Sequence, residues 1–302
     1  LADRSASPAA VRTALTHLIE RSAPLAEHVC GTPKLAEALV AVLAASRSLT
    51  RLIDARPSDA IDVLGNLDHR PIATIASADD LLAWRDLVFL RIAARDLIGL
   101  DALDDVGAAL AALGRDVLNE AWRLTEDGKC SIAVVGMGKL GGNELNYSSD
   151  IDILFVGEGE RKTLDYRARA IMDIARRCFR VDANLRPEGR DGPLVRSVES
   201  YVSYWNRWAE PWEFQALLKA RLVAGDVALG ERWFDAAQRS LWERPFDAEA
   251  LRSLRAMKAR TEEEAAKTGT GNRELKRSPG GIRDIEFTVQ LLQLVHGHQD
   301  PG

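Results

Sequence analysis

The residues with the clearest capacity for chemistry are a glycine pair and two closely spaced carboxylates. Gly141-Gly142 is followed, after seven residues, by Asp150 and Asp152, which flank the apolar Ile151. Alternate side chains of a β-strand share a face, so these two carboxylates are expected to point the same way. They repel each other unless a cation lies between them, and oxygen ligands suit Mg²⁺ or Mn²⁺. The spacing predicts a metal site, whereas the alternative is a solvated strand end, where Asp is common.

The glycine pair predicts a close approach of the backbone to a phosphate, because glycine has no Cβ and its amide N–H can point at an anion. A glycine-rich turn alone is weak evidence. Its combination with Asp150 and Asp152 resembles the signature of the nucleotidyltransferase fold. That signature implies a third carboxylate on a later strand, and Asp182, between the apolar Val181 and Ala183, stands at the expected place.

The surrounding segments predict an α+β protein with a small mixed sheet and three regions. Residues 1–125 carry apolar residues at helical spacing and predict a helical N-terminal region. Residues 126–196 form the predicted nucleotidyltransferase core, with strands at 131–135, 151–156 and 179–183 and an amphipathic helix at 166–180. Residues 197–302 return to a helical pattern, which includes a flexible break at 268–272 and a final helix at 282–295.

Composition excludes several classes of protein. The longest apolar run near the start, residues 38–45, is far shorter than the roughly 20 residues of a membrane-spanning helix. The net charge of −5 disfavours a nucleic-acid binder, and the three cysteines form no close pair, which favours a reducing cytoplasm. The chain begins with Leu1 and has no apolar signal core, so we expect a cytoplasmic fragment of a longer polypeptide.

Four longer blocks of the sequence resemble the family of bacterial glutamine synthetase adenylyltransferases/deadenylylases. They follow one another in the family's order: Gly136–Asp152, Val181–Gly189, Trp212–Arg221 and Lys276–Phe287. The resemblance implies a nucleotidyltransferase whose two halves act on a tyrosine of glutamine synthetase. One half removes AMP with inorganic phosphate and releases ADP, and the other adds AMP from ATP. It also implies PII-type signal proteins as regulators.

Three features resemble the adenylyl-removing half, and we therefore expect the removing direction. Asn146 stands where the adding half tends to have Gly, and the segments 192–195 and 281–284 also match the removing half. One alternative is ATP-dependent adenylylation by the same fold. Another is a catalytically silent regulatory half, which Asp150, Asp152 and Asp182 argue against, since a silent copy has no need of repelling carboxylates.

The resemblance implies that Asp150, Asp152 and Asp182 hold the metal and carry catalysis. The residues expected to bind nucleotide or phosphate are Gly141, Gly142, Ser149, Arg186, Lys219, Arg221, Lys276 and Glu286. Asp284 and Glu286 are two residues apart and do not share a helix face well, so one of them is expected at the site. Glu286, next to Phe287, is preferred.

The basic candidates have structural alternatives. Arg186 could fix a turn before Pro187 or pair with Asp182, and Lys276 could form a surface pair with Arg277. Lys219 and Arg221 are predicted on a helix, where both could be solvated. The tryptophans at helical spacing are expected in a core or partner surface rather than as an adenine stack: Trp205, Trp208 and Trp212.

Overall fold

The computed structural model describes residues 1–21, 23–244, 246–267 and 280–297. Lys276, the predicted break at 268–272 and the last five residues lie outside the described residues. The chain divides into two compact units. The first comprises Leu1–Glu126, Asn143–Ile151 and Arg169–Val181, and the second comprises Asp127–Gly142, Asp152–Ala168 and Asp182–Gly302. Residues 126–196 therefore contribute to both units.

The described residues of the N-terminal segment, which belongs to the first unit, form seven α-helices, as the periodicity predicts. They are α1 (Pro8–Arg21), α2 (Ala23–Gly31), α3 (Pro33–Ala45), α4 (Arg47–Ala55), α5 (Pro57–Gly65), α6 (Ala78–Leu97) and α7 (Leu103–Leu124). Ser77 caps α6 by accepting a hydrogen bond from the Asp80 amide at 3.2 Å. Leucines that are fully buried, such as Leu35 and Leu39 of α3, form the core with apolar residues of α5 and α6.

The chain contains a five-stranded mixed sheet, which confirms the predicted α+β class. Its strands are β1 (Ser131–Met137), β2 (Ile151–Glu158), β3 (Val181–Asp182), β4 (Val195–Arg196) and β5 (Arg221–Gly225). The strand order is β3-β2-β1-β5, and β4 pairs with β2. β1 runs antiparallel to β2 and β5, whereas β4 runs parallel to β2.

The remaining helices follow the sheet strands in the chain. They are α8 (Gly138–Gly141), α9 (Arg161–Ala175), α10 (Val198–Arg207), α11 (Pro211–Leu217), α12 (Val227–Trp242), α13 (Ala248–Lys267) and α14 (Ile282–His296). Pro211 begins α11, as expected for a residue that divides two helices. The core of the second unit contains Tyr201, Trp205 and Trp233, whose ring centroids lie 5.4–5.6 Å apart.

The helix predicted over Lys219 and Arg221 is wrong. Helix α11 ends at Leu217, and Arg221 is the first residue of β5, where it pairs with Gly136 of β1. The sequence around Leu217 and Leu218 continues the helical pattern of α11. Pairing of β5 with the distant strand β1 overrides this local preference, because it satisfies the backbone hydrogen-bonding groups of β5.

Within the described residues, no helix combines the length and the apolar character that crossing a membrane requires.

Candidate functional site

The end of β1 brings a motif glycine against the carboxylate of Asp152. In the antiparallel register Asp152 faces Met137, the residue before Gly138. Gly138 has a φ of +51°, and a Cβ at this position would lie 2.6 Å from Oδ2 of Asp152. Only glycine adopts this backbone at low cost and leaves the carboxylate room. The motif thus forms a small cradle around an acidic oxygen, which fits a site for a divalent cation.

Asp182 lies on the strand next to that of Asp152. It ends β3, which neighbours β2, and both carboxylates are half-buried. The Oδ1 atom of Asp182 accepts a hydrogen bond from the backbone N–H of Asn184 at 2.7 Å, which fixes the side chain. The two residues therefore offer oxygen ligands of the kind that Mg²⁺ or Mn²⁺ prefers.

Asp150 has a different setting. It precedes β2, belongs to the first unit, and pairs with Arg180, whose Nε lies 2.5 Å from Oδ1 of Asp150. Among the described residues, no group of three or more His, Cys, Asp or Glu side chains is arranged to hold a metal ion. The convergence of Asp150, Asp152 and Asp182 in one metal cluster therefore stays a prediction.

The structure explains Gly141 by contact with protein. A Cβ at Gly141 would overlap the backbone carbonyl oxygen of Lys219, and the Nε of Arg221 donates to the Gly141 carbonyl at 2.9 Å. Gly141 is buried, whereas Gly142 is exposed. Gly141 thus permits packing of α8 against the segment that leads into β5, and its approach to a phosphate stays a prediction. Ser149 accepts a hydrogen bond from the Asn146 amide at 3.1 Å and stabilises a turn.

A cavity of about 480 Å³ in the second unit has Gly138 in its wall. Its lining combines aromatic, aliphatic, amide and charged side chains: Leu185, Trp212, Gln215, Ala216, Lys219, Met257, Lys258, Arg283, Glu286, Phe287 and Gln290. Gln215 donates to the side-chain oxygen of Gln290 at 2.7 Å. Apolar surface with a few polar groups is typical of small-ligand sites, and cations beside amides suit a nucleotide.

The two lysines of this cavity pair with carboxylates of α14. Nζ of Lys219 lies 4.0 Å from Oε1 of Glu286, and Nζ of Lys258 lies 3.0 Å from Oδ1 of Asp284. The Gly280 amide and then Lys258 lower the pKa of Asp284. Glu286 lines the cavity and Asp284 does not. Lys219 and Glu286 thus meet at the candidate site, although they lie on separate segments.

Arg186 is held by its own loop. Its guanidinium donates to the backbone carbonyls of Ala183 at 2.7 Å, Arg190 at 3.1 Å and Gly192 at 3.2 Å. Three structural acceptors favour the turn-fixing alternative over a phosphate socket.

The tryptophans occupy three different settings. Trp205 is buried in the core, Trp208 is 73% exposed, and Trp212 lines the cavity. The expected core position holds for Trp205. Trp212 is placed where a flat ring could contact a base.

Glu213, in the same motif as Trp212, should make stability depend on pH. It is 9% exposed, and burial raises the pKa of its carboxyl group. The folded protein therefore favours the neutral form, so this stabilisation is complete below the unfolded pKa of about 4.3 and declines as pH rises through the raised pKa. We expect Glu213→Gln to raise the melting temperature at pH 8 and to leave it nearly unchanged at pH 4.

The measurement is thermal unfolding of both proteins between pH 4 and 8. Gln retains the oxygen that accepts from the Tyr204 hydroxyl at 2.9 Å and the Glu210 amide at 3.1 Å. An equal shift at every pH would show that ionisation of Glu213 has no part in the effect.

Comparison with known proteins assigns the sequence to a family. The profile described as glutamate-ammonia ligase adenylyltransferase matches residues 12–236. The chain belongs to this family. A second profile, described as GlnD PII-uridylyltransferase, matches residues 255–301.

Curated relatives agree with the family assignment. Proteins named bifunctional glutamine synthetase adenylyltransferase/adenylyl-removing enzyme are similar to this chain in three bacteria. In Streptomyces coelicolor the identity is 44% over 70% of this chain and 23% of the relative. The Streptomyces avermitilis protein is 37% identical over 96% of this chain and 30% of the relative. The Mycobacterium tuberculosis (strain CDC 1551) protein is 43% identical over 70% of this chain and 24% of the relative. The chain thus spans less than a third of the length of these relatives.

Sequence reasoning missed several residues of the cavity. Lys258 lies on the highly charged helix α13, so the sequence does not distinguish it from solvated lysines and arginines of the same helix. Gln290 is uncharged and belongs to no motif that indicates a ligand site. Arg283 stands between Ile282 and Asp284 in the fourth motif block, so membership of that block was the available signal.

Proposed function

We propose that this chain catalyses the phosphate-dependent removal of AMP from a modified tyrosine of glutamine synthetase, with release of ADP. The observation that supports this most strongly is the cavity that joins Gly138, beside Asp152, to Lys219 and Glu286. It combines a carboxylate cradle with cations and an aromatic side chain in one unit. The removing direction rests on Asn146 and on segments 192–195 and 281–284, which resemble the removing half.

The reaction is balanced without a separate acid or base. An oxygen of HPO₄²⁻ forms a bond to the α-phosphorus of the tyrosine-linked AMP, and the bond between that phosphorus and the phenol oxygen breaks. The proton of the phosphate ends on the phenol oxygen, which leaves with the bonding electron pair. Much of the inorganic phosphate is present as the dianion at neutral pH. The chain must therefore bind and orient anions, and Lys219, Lys258 and Arg283 supply cationic groups for that purpose.

Asp152 and Asp182, with Asp150, are the residues proposed to hold Mg²⁺ or Mn²⁺. The cradle formed by Gly138 and the all-oxygen donor set fit such an ion. When bound, it would neutralise charge on the phosphoryl oxygens and on the departing phenolate. Lys219, Lys258 and Arg283 would orient the phosphate and the nucleotide.

We also propose a regulator, the nucleotides and a cellular location for this chain. The match of residues 255–301 to a PII-uridylyltransferase profile supports a PII-type signal protein as regulator. The nucleotides expected at the site are AMP, ADP and ATP, and a cytoplasmic location suits glutamine synthetase as target.

The direct test mixes the chain with AMP-modified glutamine synthetase, phosphate and Mg²⁺, and measures ADP. ADP that forms in proportion to the tyrosine freed supports the proposal. Consumption of ATP with unmodified glutamine synthetase, without phosphate-dependent ADP, would establish the adding direction instead. Absence of both reactions under these conditions would favour the silent regulatory alternative.

Lys219→Gln should weaken nucleotide binding about tenfold, which corresponds to about 1.4 kcal/mol. The substitution removes a half-buried cation from the cavity and leaves the chain length and polarity of the side chain nearly unchanged. Titration of ADP into each protein by calorimetry measures the effect. Lys162→Gln, on the exposed face of α9, is the matched loss of charge and should bind ADP normally. Equal affinities for all three proteins would exclude Lys219 from the nucleotide site.

A further inference from the structure

The first unit contains a second cavity, of about 690 Å³, whose lining is unusually basic. We call it the arginine cavity, after Arg85, Arg176, Arg177 and Arg180, which line it together with Ser148 and Ser149. Among the described residues of this lining, none is an Asp or Glu. These side chains present hydrogen-bond donors and positive charge to a bound ligand.

Arg85 is fixed by aromatic contacts on both sides. Its guanidinium carbon lies 4.4 Å from the ring centroid of Phe89 and 4.9 Å from that of Phe179. The side chain is 18% exposed, and its Nε is buried without a hydrogen-bond partner in the described structure. A buried charged donor that lacks an acceptor is costly, so the protein does not satisfy every hydrogen-bond donor of Arg85.

The other three arginines are more exposed and form surface ion pairs. Their partners, which are not part of the cavity lining, are Asp173 for Arg176 at 3.4 Å, Asp79 for Arg177, and Asp150 for Arg180 at 2.5 Å. Arg85 also pairs with Asp86, at 2.9 Å, but this pair is only partly exposed. Exposed pairs such as the first three contribute about 0–1 kcal/mol, so those three arginines can re-pair with a ligand at little cost.

The remaining groups of the cavity do not oppose an anion. Burial raises the pKa of the Cys178 thiol to about 11, so it stays neutral at physiological pH. The Tyr147 hydroxyl donates to Asp96 at 2.7 Å, and burial raises its pKa as well. The cavity is therefore lined by cationic side chains and by neutral ones.

We propose that the arginine cavity binds an oxyanion with the size and charge of phosphate. Guanidinium groups present parallel N–H donors that match phosphate oxygens, and four of them converge on one cavity. The volume exceeds that of the anion, which keeps part of its hydration. This site is argued from charges of the first unit alone and does not depend on the direction of the proposed reaction.

The test is titration of the intact chain with sodium phosphate by calorimetry, at constant ionic strength. The double variant Arg176→Gln/Arg177→Gln removes two exposed arginines, so folding should be retained. We expect it to bind phosphate at least tenfold more weakly. The matched control, Arg161→Gln/Lys162→Gln, removes two exposed positive charges at the start of α9 and should bind normally.

Two further measurements separate this site from the nucleotide cavity and from general charge effects. The loss of phosphate binding caused by Arg176→Gln/Arg177→Gln should persist in a Lys219→Gln background, and sulfate should displace phosphate where chloride does not. Equal affinity in both double variants, or the same non-saturating uptake in both, would mean an adventitious ion only and would overturn the proposal. If AMP removal fails while saturable binding remains sensitive to Arg176 and Arg177, the proposed function falls and this inference stands.

Discussion

Asp152→Asn is expected to lower turnover by more than 100-fold while the fold stays intact. Substitutions of outer partners of a metal ligand already cost roughly 10- to 100-fold, and Asp152 is proposed to contact the ion directly. The change removes one negative charge close to the neighbouring strand that carries Asp182. Without metal, the melting temperature should therefore hold or rise slightly.

Added Mg²⁺ should stabilise the Asp152→Asn protein less than the unaltered chain, because a ligand that binds more weakly shifts unfolding less. The measurement pairs the rate of ADP release with melting temperatures at increasing Mg²⁺. Asp235→Asn, at an exposed position of α12, is the matched control. Unaltered turnover, or an undiminished response to Mg²⁺, would show that Asp152 does not hold the metal.

Gly141→Ala is expected to lower the free energy of unfolding by about 3 kcal/mol or more. The new methyl group would overlap the Lys219 carbonyl oxygen, and rigid backbone cannot yield as a side chain does. For a unit of this size, that loss corresponds to a decrease of about 6–12 °C in melting temperature. Tryptophan fluorescence follows the transition, since Trp205 and Trp233 are buried in the second unit.

Gly142→Ala provides the control for this effect at the adjacent position. Gly142 is exposed and has a φ of −72°, a conformation that alanine adopts without strain. Its melting temperature should be unchanged or slightly higher. If the two alanine variants had the same melting temperature, close packing between α8 and the turn at Lys219 would not explain why glycine is needed at position 141.

The strand and helix patterns near the motifs were predictable, because their signals are local. β1 and β2 are short apolar runs rich in β-branched residues, and α14 begins directly after Gly280-Gly281. The order of the four motif blocks indicated the family before any geometry was known. Helical spacing also indicated that Asp284 and Glu286 would not share one face of α14.

Only the tertiary structure decided which partners the motif residues have. Lys219 and Arg221 continue a helical pattern in sequence, yet they adjoin a strand because β5 pairs with the distant β1. The same long-range packing brings Gly141 against the backbone carbonyl of Lys219 and Gly138 against the carboxylate of Asp152. Arg186 is held by carbonyls of its loop, which carry no sequence signal, since every residue type presents the same backbone oxygen. Periodicity and motif spacing thus determined the elements and the family, whereas contacts between segments far apart in the chain determined what each charged side chain can bind.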